Sequence, residues 1–178
     1  MKKICFLCVF LLAPLAFSQQ LDISNNSFES GDFREWVCYG HWDITDSGED
    51  VYFGTHAAVI DVSMGPSNPG RGESNAVFQD IVYAENKEFV VRVYVKTADL
   101  TGAKAFLRVE ALNEKGNIIQ GWDSEKVSGS SKYKEMAVSD KAPKNTVKLR
   151  VLGYVINEEK NPSGRVFFDE FLSKQIQI

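Results

Sequence analysis

The stretch NNSFESGDFREWVCYG, running from Asn25 to Gly40, is where the reading of this chain turns. It opens on a polar, turn-forming run, brings in Phe28 and Glu29, passes Gly31, and closes on Trp36 and Tyr39 just before Gly40. Phe28 and Trp36 are large enough to anchor a core, and Glu29 follows the first anchor directly. A carboxylate beside a buried ring is costly unless something cationic satisfies it. The far end of the chain holds a matching acid, Asp169, in the run VFFDEF from Val166 to Phe171. The two acids read as partners around a calcium ion that ties the first strand to the last. Tyr39 follows Trp36 by three positions, so a regular strand places the two on opposite faces, one in the core and one out of it.

Working outward, the residues before this stretch read as an export signal. Lys2 and Lys3 form a positive start, Ile4 to Leu15 is apolar, and Ala16-Phe17-Ser18 is a small-x-small cleavage signal, which predicts a cut before Gln19. The apolar run is too short for a membrane span. Removing residues 1–18 leaves about 160 residues, the size of one domain with a substantial core. The signal carries two lysines and no acid, so the remaining chain has 18 basic and 24 acidic residues, a net charge of −6. That balance argues against nucleic acid, whose binding needs concentrated positive charge. Cys38 is the one cysteine left, so no internal disulfide can form, and it reads as a small buried residue. With two histidines, His41 and His56, and no cysteine pair, a zinc site is not expected.

After Leu21, short apolar runs alternate with polar residues and are broken by Gly, Asn, Asp and Ser, the pattern of an all-β sandwich or barrel. Strands are expected over Trp36–Tyr39, Trp42–Thr45, Val51–Phe53, Ala57–Val62, Ala76–Val82, Glu88–Thr97, Ala105–Leu112, Ile118–Trp122, Tyr133–Val138, Thr146–Val155 and Arg165–Phe171. Met64–Ser74, with two prolines and three glycines, is expected to be a long surface loop. Lys115-Gly116-Asn117 predicts a hairpin turn. In Glu88–Thr97, Val91, Val93 and Val95 point one way and Arg92, Tyr94 and Lys96 the other; Leu107, Val109 and Ala111 likewise oppose Arg108, Glu110 and Leu112. The polar sides fit an ordinary solvated face, and they fit equally a binding face whose side chains meet sugar hydroxyls.

The ordered set of these segments resembles jelly-roll carbohydrate-binding modules of families four, nine and twenty-two. The residues that carry it are Asn25 to Glu29 with Gly31, Trp36 to Gly40, GTHAA at Gly54 to Ala58, Gln79, EFVVRVYVK at Glu88 to Lys96, and FFDEF at Phe167 to Phe171. The likeness implies a two-sheet antiparallel β-sandwich in one domain over residues 19–178, acting as a monomer that binds a polysaccharide or oligosaccharide without catalysing a reaction. It implies a structural calcium held by the Ser27 carbonyl, Glu29, the Gly48 carbonyl and Asp169, an oxygen set that calcium prefers. It also implies a cleft lined by Tyr39, Arg108, Glu110, Arg150 and Trp122, with Trp36 and Trp42 in the core. Glucan-binding relatives carry more Asn and Gln in the cleft. Arg92, Arg108, Lys148 and Arg150 here also admit an acidic glycan.

Two other classes compete. A glycosidase on the same fold needs two carboxylates across a cleft, and Glu110 with Asp123 is the pair available. A lyase needs a base beside an arginine, and His41, or Tyr94 with Arg92, can be nominated. The third class is a surface adhesion protein with a protein ligand.

Overall fold

Alternating valines in a long β segment dictate the architecture. The computed structural model describes residues 19–20, 22–64 and 74–176. Its strands are β1 (Gln19–Gln20), β2 (Val37–Tyr39), β3 (Trp42–Thr45), β4 (Ala57–Asp61), β5 (Ser74–Val82), β6 (Glu88–Leu112), β7 (Ile118–Asp123), β8 (Val127–Lys141), β9 (Lys148–Asn157) and β10 (Ser163–Ile176). Among the described residues the helical segments are two 3-10 turns, Gly48–Asp50 and Val62–Met64. The fold is all-β, and every ladder is antiparallel.

β6 belongs to two sheets. Its first half pairs with β10 and β8, and β4 and β3 extend the sheet beyond β10. Its second half pairs with β9 and β7, and β5 and β2 extend the sheet beyond β9. The turn of direction falls between the halves, where Asp99 (φ +52°) and Gly102 (φ +66°) sit in the left-handed region and Ser130 caps the Asp99 N–H at 2.9 Å. The two sequence segments Glu88–Thr97 and Ala105–Leu112 are therefore one strand and not two. Val91, Val93 and Val95 from the first half meet Leu107, Val109 and Ala111 from the second, all fully buried between the sheets. Their period of two puts Arg92 and Tyr94 outside one sheet, and Arg108 and Glu110 outside the other.

The stretch from Asn25 to Gly40 closes one side of this core. Phe28 is fully buried, 5.2 Å from the Trp36 ring, and Trp36 lies 4.7 Å from Phe171. The Trp36 indole donates to the Asn25 carbonyl at 3.0 Å, and the Phe171 N–H donates to the Asn26 carbonyl at 2.8 Å. Buried Gln79 latches the stretch to β5: its amide donates to the carbonyls of Ser24 and Glu35 and accepts the Ser24 N–H. Trp42 packs against the core beside Phe168 and donates its indole N–H to the Tyr39 carbonyl. Trp36 is thus a core residue, as expected, and Trp42 is half-buried against the core.

Val51–Phe53 is the expected strand that does not form. Its N–H groups at Tyr52 and Phe53 bond to the Asp169 carboxylate instead of a neighbouring strand. β8 and β10 run longer than their apolar runs, because their ends continue the ladder against β6. Residues 1–18 and most of the Met64–Ser74 loop lie outside the described residues.

Candidate functional site

The two acids at the ends of the fold are brought to one segment, Tyr52–His56. Phe28 takes a left-handed conformation (φ +60°), which sends its ring into the core while Glu29 turns outward. One Glu29 oxygen accepts the N–H groups of Thr55 and His56, both at 3.0 Å, and the other accepts the Thr55 N–H and hydroxyl. Burial opposes its charge, but these N–H donors hold the Glu29 carboxyl below its ordinary value. Asp169 is fully buried. Its Oδ2 accepts the N–H groups of Tyr52 and Phe53, each at 2.9 Å, and its Oδ1 accepts the Glu170 N–H. Burial pushes the Asp169 carboxyl up to about 6, against the pull of the donated N–H groups of Phe53, Tyr52 and Glu170, and the nearby Glu29 charge adds to the rise.

This arrangement tests the calcium set. Asp169 has no lysine or arginine paired with it among the described residues, and Oδ1 keeps a lone pair, so a cation would answer an uncompensated buried charge. Glu29 already has both oxygens engaged. Ser27 is buried, while Gly48 opens the 3-10 turn at the surface. Among the described residues no three His, Cys, Asp or Glu side chains converge, so an ion here would take most of its ligands from carbonyls, which calcium accepts. Of the four residues expected to hold calcium, Asp169 is the buried carboxylate without a cationic partner among the described residues.

Gly54 makes the Glu29 bonds possible. It has φ +75°, and a Cβ there would lie 2.4 Å from the Glu29 carboxyl carbon. Gly54→Ala is expected to cost about 1–3 kcal/mol from backbone strain and loss of this cap. A urea midpoint equal to that of the unchanged protein would refute the assignment.

The expected cleft residues fall on the outer face of the second sheet, with one exception. Tyr39 is 37% exposed and lies 5.4 Å from the Phe78 ring. Registers across β2, β5, β9, β6 and β7 align Val37, Phe78, Leu152, Arg108 and Asp123 in one row, and Tyr39, Ala76, Tyr154 and Phe106 in the next. Arg150 lies over Phe78 at 4.4 Å and forms a two-point pair with Asp80 at 2.7 and 3.1 Å. Arg108 pairs with Glu110 at 2.9 Å and Asp123 at 3.1 Å, and its guanidinium lies over Tyr154. Tyr39, Arg108, Glu110 and Arg150 therefore share one surface. Trp122 does not. It is opposite Val109 in the ladder, packs edge-on to Phe89 at 5.1 Å and belongs to the core. The resemblance implied a cleft position for it, but its ladder partner Val109 is a core residue.

Sequence reasoning passed over Phe78, Asp80, Leu152, Tyr154 and Phe106, which make the floor of this face. Their signal was parity: Phe78 and Asp80 alternate with core residues Val77, Gln79 and Ile81, and Leu152 and Tyr154 continue the side of Arg150. On this face Arg108, Lys126 and Arg150 are matched by Asp80, Glu110 and Asp123, while exposed Lys148 stands on the same side of β9 without an ion pair among the described residues. Arg92 stands on the other sheet and plays no part in it.

The enzyme alternatives fare differently. Glu110 and Asp123 grip one arginine between them, so Arg108 occupies the space that a glycosidic bond would need. Hydrogen bonding to Tyr52, then burial and Glu135, push the Tyr94 hydroxyl well above its ordinary value, which disfavours it as a base at neutral pH. A groove of about 820 Å³ lies elsewhere, among Val82–Glu85, Asn113–Lys115 and Asn145–Val147, and contains none of the expected site residues.

No family model and no curated protein matches the chain. Solved structures do. The enzymatically active domain of tailspike protein 4 from bacteriophage CBA120 aligns with a TM-score of 0.64 at 12% identity, over 88% of this chain and 21% of that one. This chain thus spans about a fifth of the tailspike domain. The module TmCBM61, solved with β-1,4-galactotriose, aligns with a TM-score of 0.63 at 15% identity, over 87% of this chain and 98% of that one. The CBM22-1 xylan-binding domain of Xyn10C from Paenibacillus barcinonensis aligns with a TM-score of 0.58 at 18% identity, over 86% and 93%. At these identities the fold is what is shared: this chain has the jelly-roll β-sandwich of carbohydrate-binding modules and resembles the family 22 modules.

Proposed function

We propose that this chain is an exported, monomeric, non-catalytic module that binds a neutral polysaccharide or oligosaccharide on the outer face of its second sheet. The observation that carries this reading is exposed Tyr39 on the same face as the ion-paired side chains of Arg108, Glu110 and Arg150. Phe78 lies under Arg150, Tyr154 under Arg108 and Phe106 under Lys126, each of these cations is ion-paired, and Tyr39 stands exposed at the edge. A sugar ring would stack its C–H face on Tyr39, and Arg108, Glu110 and Arg150, held in place by the rings beneath and their ion pairs, would select among its hydroxyls. The pairing of both arginines favours a neutral ligand over a densely acidic one, which would need more unpaired cations than Lys148. A structural calcium, held by Asp169 with Glu29 and the carbonyls of Ser27 and Gly48, would take the place of a disulfide in fastening the ends of the fold.

Affinity electrophoresis through gels containing xylan, β-1,4-galactan or polygalacturonate tests the reading. Retardation by a neutral polymer is expected, and retardation by polygalacturonate alone would overturn the neutral assignment. Tyr39→Ala is expected to weaken binding by roughly 1–3 kcal/mol, the loss of a contact hot spot, with little change in the urea midpoint. A Tyr39→Ala protein that binds every polymer unchanged would move the site elsewhere. Release of reducing or unsaturated sugars from the same polymers would favour the enzyme reading that the tailspike likeness raises.

A further inference from the structure

The segment Glu49–His56 is bound more tightly than an exposed loop requires. Asp169 takes the N–H groups of Tyr52 and Phe53, and Glu29 takes those of Thr55 and His56. Lys96 donates to the Glu49 carbonyl at 2.6 Å and pairs with Asp50 at 2.8 Å, and the Tyr133 hydroxyl donates to the Asp50 carbonyl at 2.8 Å. Side chains from four separate parts of the chain thus fix a segment that forms no strand. What it holds up is a pair of consecutive aromatics, Tyr52 at 45% and Phe53 at 56% exposure.

Tyr52 is stacked on Tyr94 with ring centroids 3.8 Å apart and planes 14° from parallel, and Tyr133 lies 5.4 Å to the side. Tyr94 is on the outward side of β6, since its neighbours Val93 and Val95 are in the core. One face of the Tyr52 ring is taken by Tyr94, and the residue is still 45% exposed. Beside the stack, Arg92 and Glu135 lie 3.7 Å apart, half-exposed, and Glu135 also accepts the Tyr94 hydroxyl. The rim is therefore polar and neutral in sum. This surface lies on the first sheet, across the sandwich from Tyr39 and Arg108.

We infer that the outer face of the first sheet is a second sugar-binding surface, a platform on which Tyr52, backed by Tyr94 and next to exposed Phe53 in the chain, takes the flat face of a neutral pyranose in an insoluble polysaccharide. The chemistry selects that occupant. A rigid, planar aromatic stack with a neutral hydrogen-bonding rim matches a ring that is apolar on its face and hydroxylated at its edge. A stable protein partner would need roughly 1,000 Å² or more of complementary surface, whereas charged residues border this stack closely. Ordering the aromatics in advance lowers the entropic cost of binding, which gives the clasp a purpose beyond folding.

The test compares the unchanged protein, Tyr39→Ala, Phe53→Ser, and Tyr52→Ser with Phe53→Ser. Each is partitioned onto insoluble xylan, insoluble β-1,4-galactan and regenerated cellulose, and titrated with soluble xylohexaose and galactotriose. The platform double variant is expected to lose about tenfold in partition onto an insoluble polymer while its titration with the soluble sugars is unchanged, and Tyr39→Ala is expected to lose in both. Phe53→Ser alone, at a side chain mostly in solvent, shows the same direction if Tyr52→Ser perturbs folding. Partition equal to that of the unchanged protein overturns the platform, as does a protein that partitions onto none of the three polymers. A Tyr39→Ala protein unchanged in both assays, with the platform variants impaired, overturns the second-sheet cleft and leaves the platform standing. Loss of self-association in the platform variants, seen by sedimentation, with polymer binding intact would show that the face meets another copy of the chain and would overturn the sugar assignment.

Discussion

Trp36→Ala is expected to remove about 3–5 kcal/mol of folding stability, the range for truncating a large buried ring. The indole touches Phe28 and Phe171 at 5.2 and 4.7 Å, and its N–H holds the Asn25 carbonyl. Truncation empties the space between the first and last segments and leaves Phe28, itself in a left-handed conformation, without the packing that holds it there. Phe28 also sets the direction of Glu29, so the loss should spread to the Tyr52–His56 segment. Trp36→Phe, which keeps a ring but not the N–H, should recover more than half of the loss. Urea unfolding of the three proteins reads both effects, and a Trp36→Ala midpoint within about 1 kcal/mol of the starting protein would refute the anchoring role.

Asp169→Ala is expected to remove about 3 kcal/mol and to abolish the response to chelator. The N–H groups of Tyr52, Phe53 and Glu170 lose their acceptor, and unsatisfied donors are each worth about 1–3 kcal/mol when buried. In the unchanged protein, a chelator should lower the melting temperature, because an ion bound to the folded state alone stabilises it by mass action, about 2.7 kcal/mol at a hundred times its dissociation constant. Asp169→Asn separates the two effects. It keeps an oxygen for the Tyr52 and Phe53 N–H groups but carries no charge, so it should retain most of the stability measured in chelator while losing the gain from calcium. Identical melting of the unchanged protein with and without calcium would remove the ion from the account and leave the hydrogen-bonded clasp in place.

The long alternating strands were legible because burial and period coincide in them: Val91 to Val95 and Leu107 to Ala111 are core residues, and the opposite parity is outside. The anchoring roles of Phe28 and Trp36 were legible from size and position alone. Other features depend on contacts between residues distant in the chain. Val51–Phe53 has strand composition, yet Asp169, more than a hundred residues away, captures its N–H groups. Trp122 was placed in the cleft by resemblance, and the register that sets it opposite Val109 turns it to the core. The arginines of the cleft looked like a cationic surface because their partners Asp80 and Asp123 come from neighbouring strands, which no local pattern reveals. The Tyr52–Tyr94 stack was hidden for the same reason, since it joins a loop to a strand some forty residues on.

The passage of β6 from one sheet to the other has a mechanical consequence. In a sandwich held only by side-chain packing, a pull on one sheet is resisted by contacts that peel apart in sequence. Here a tug at Arg108 or Glu110 travels along unbroken main chain to Arg92 and Tyr94 on the opposite side, through the bend at Asp99 and Gly102. Separating the layers requires shearing the ladders on both flanks of one strand, β10 and β8 along one half and β9 and β7 along the other. A molecule threaded in this way resists load as a stitched seam does.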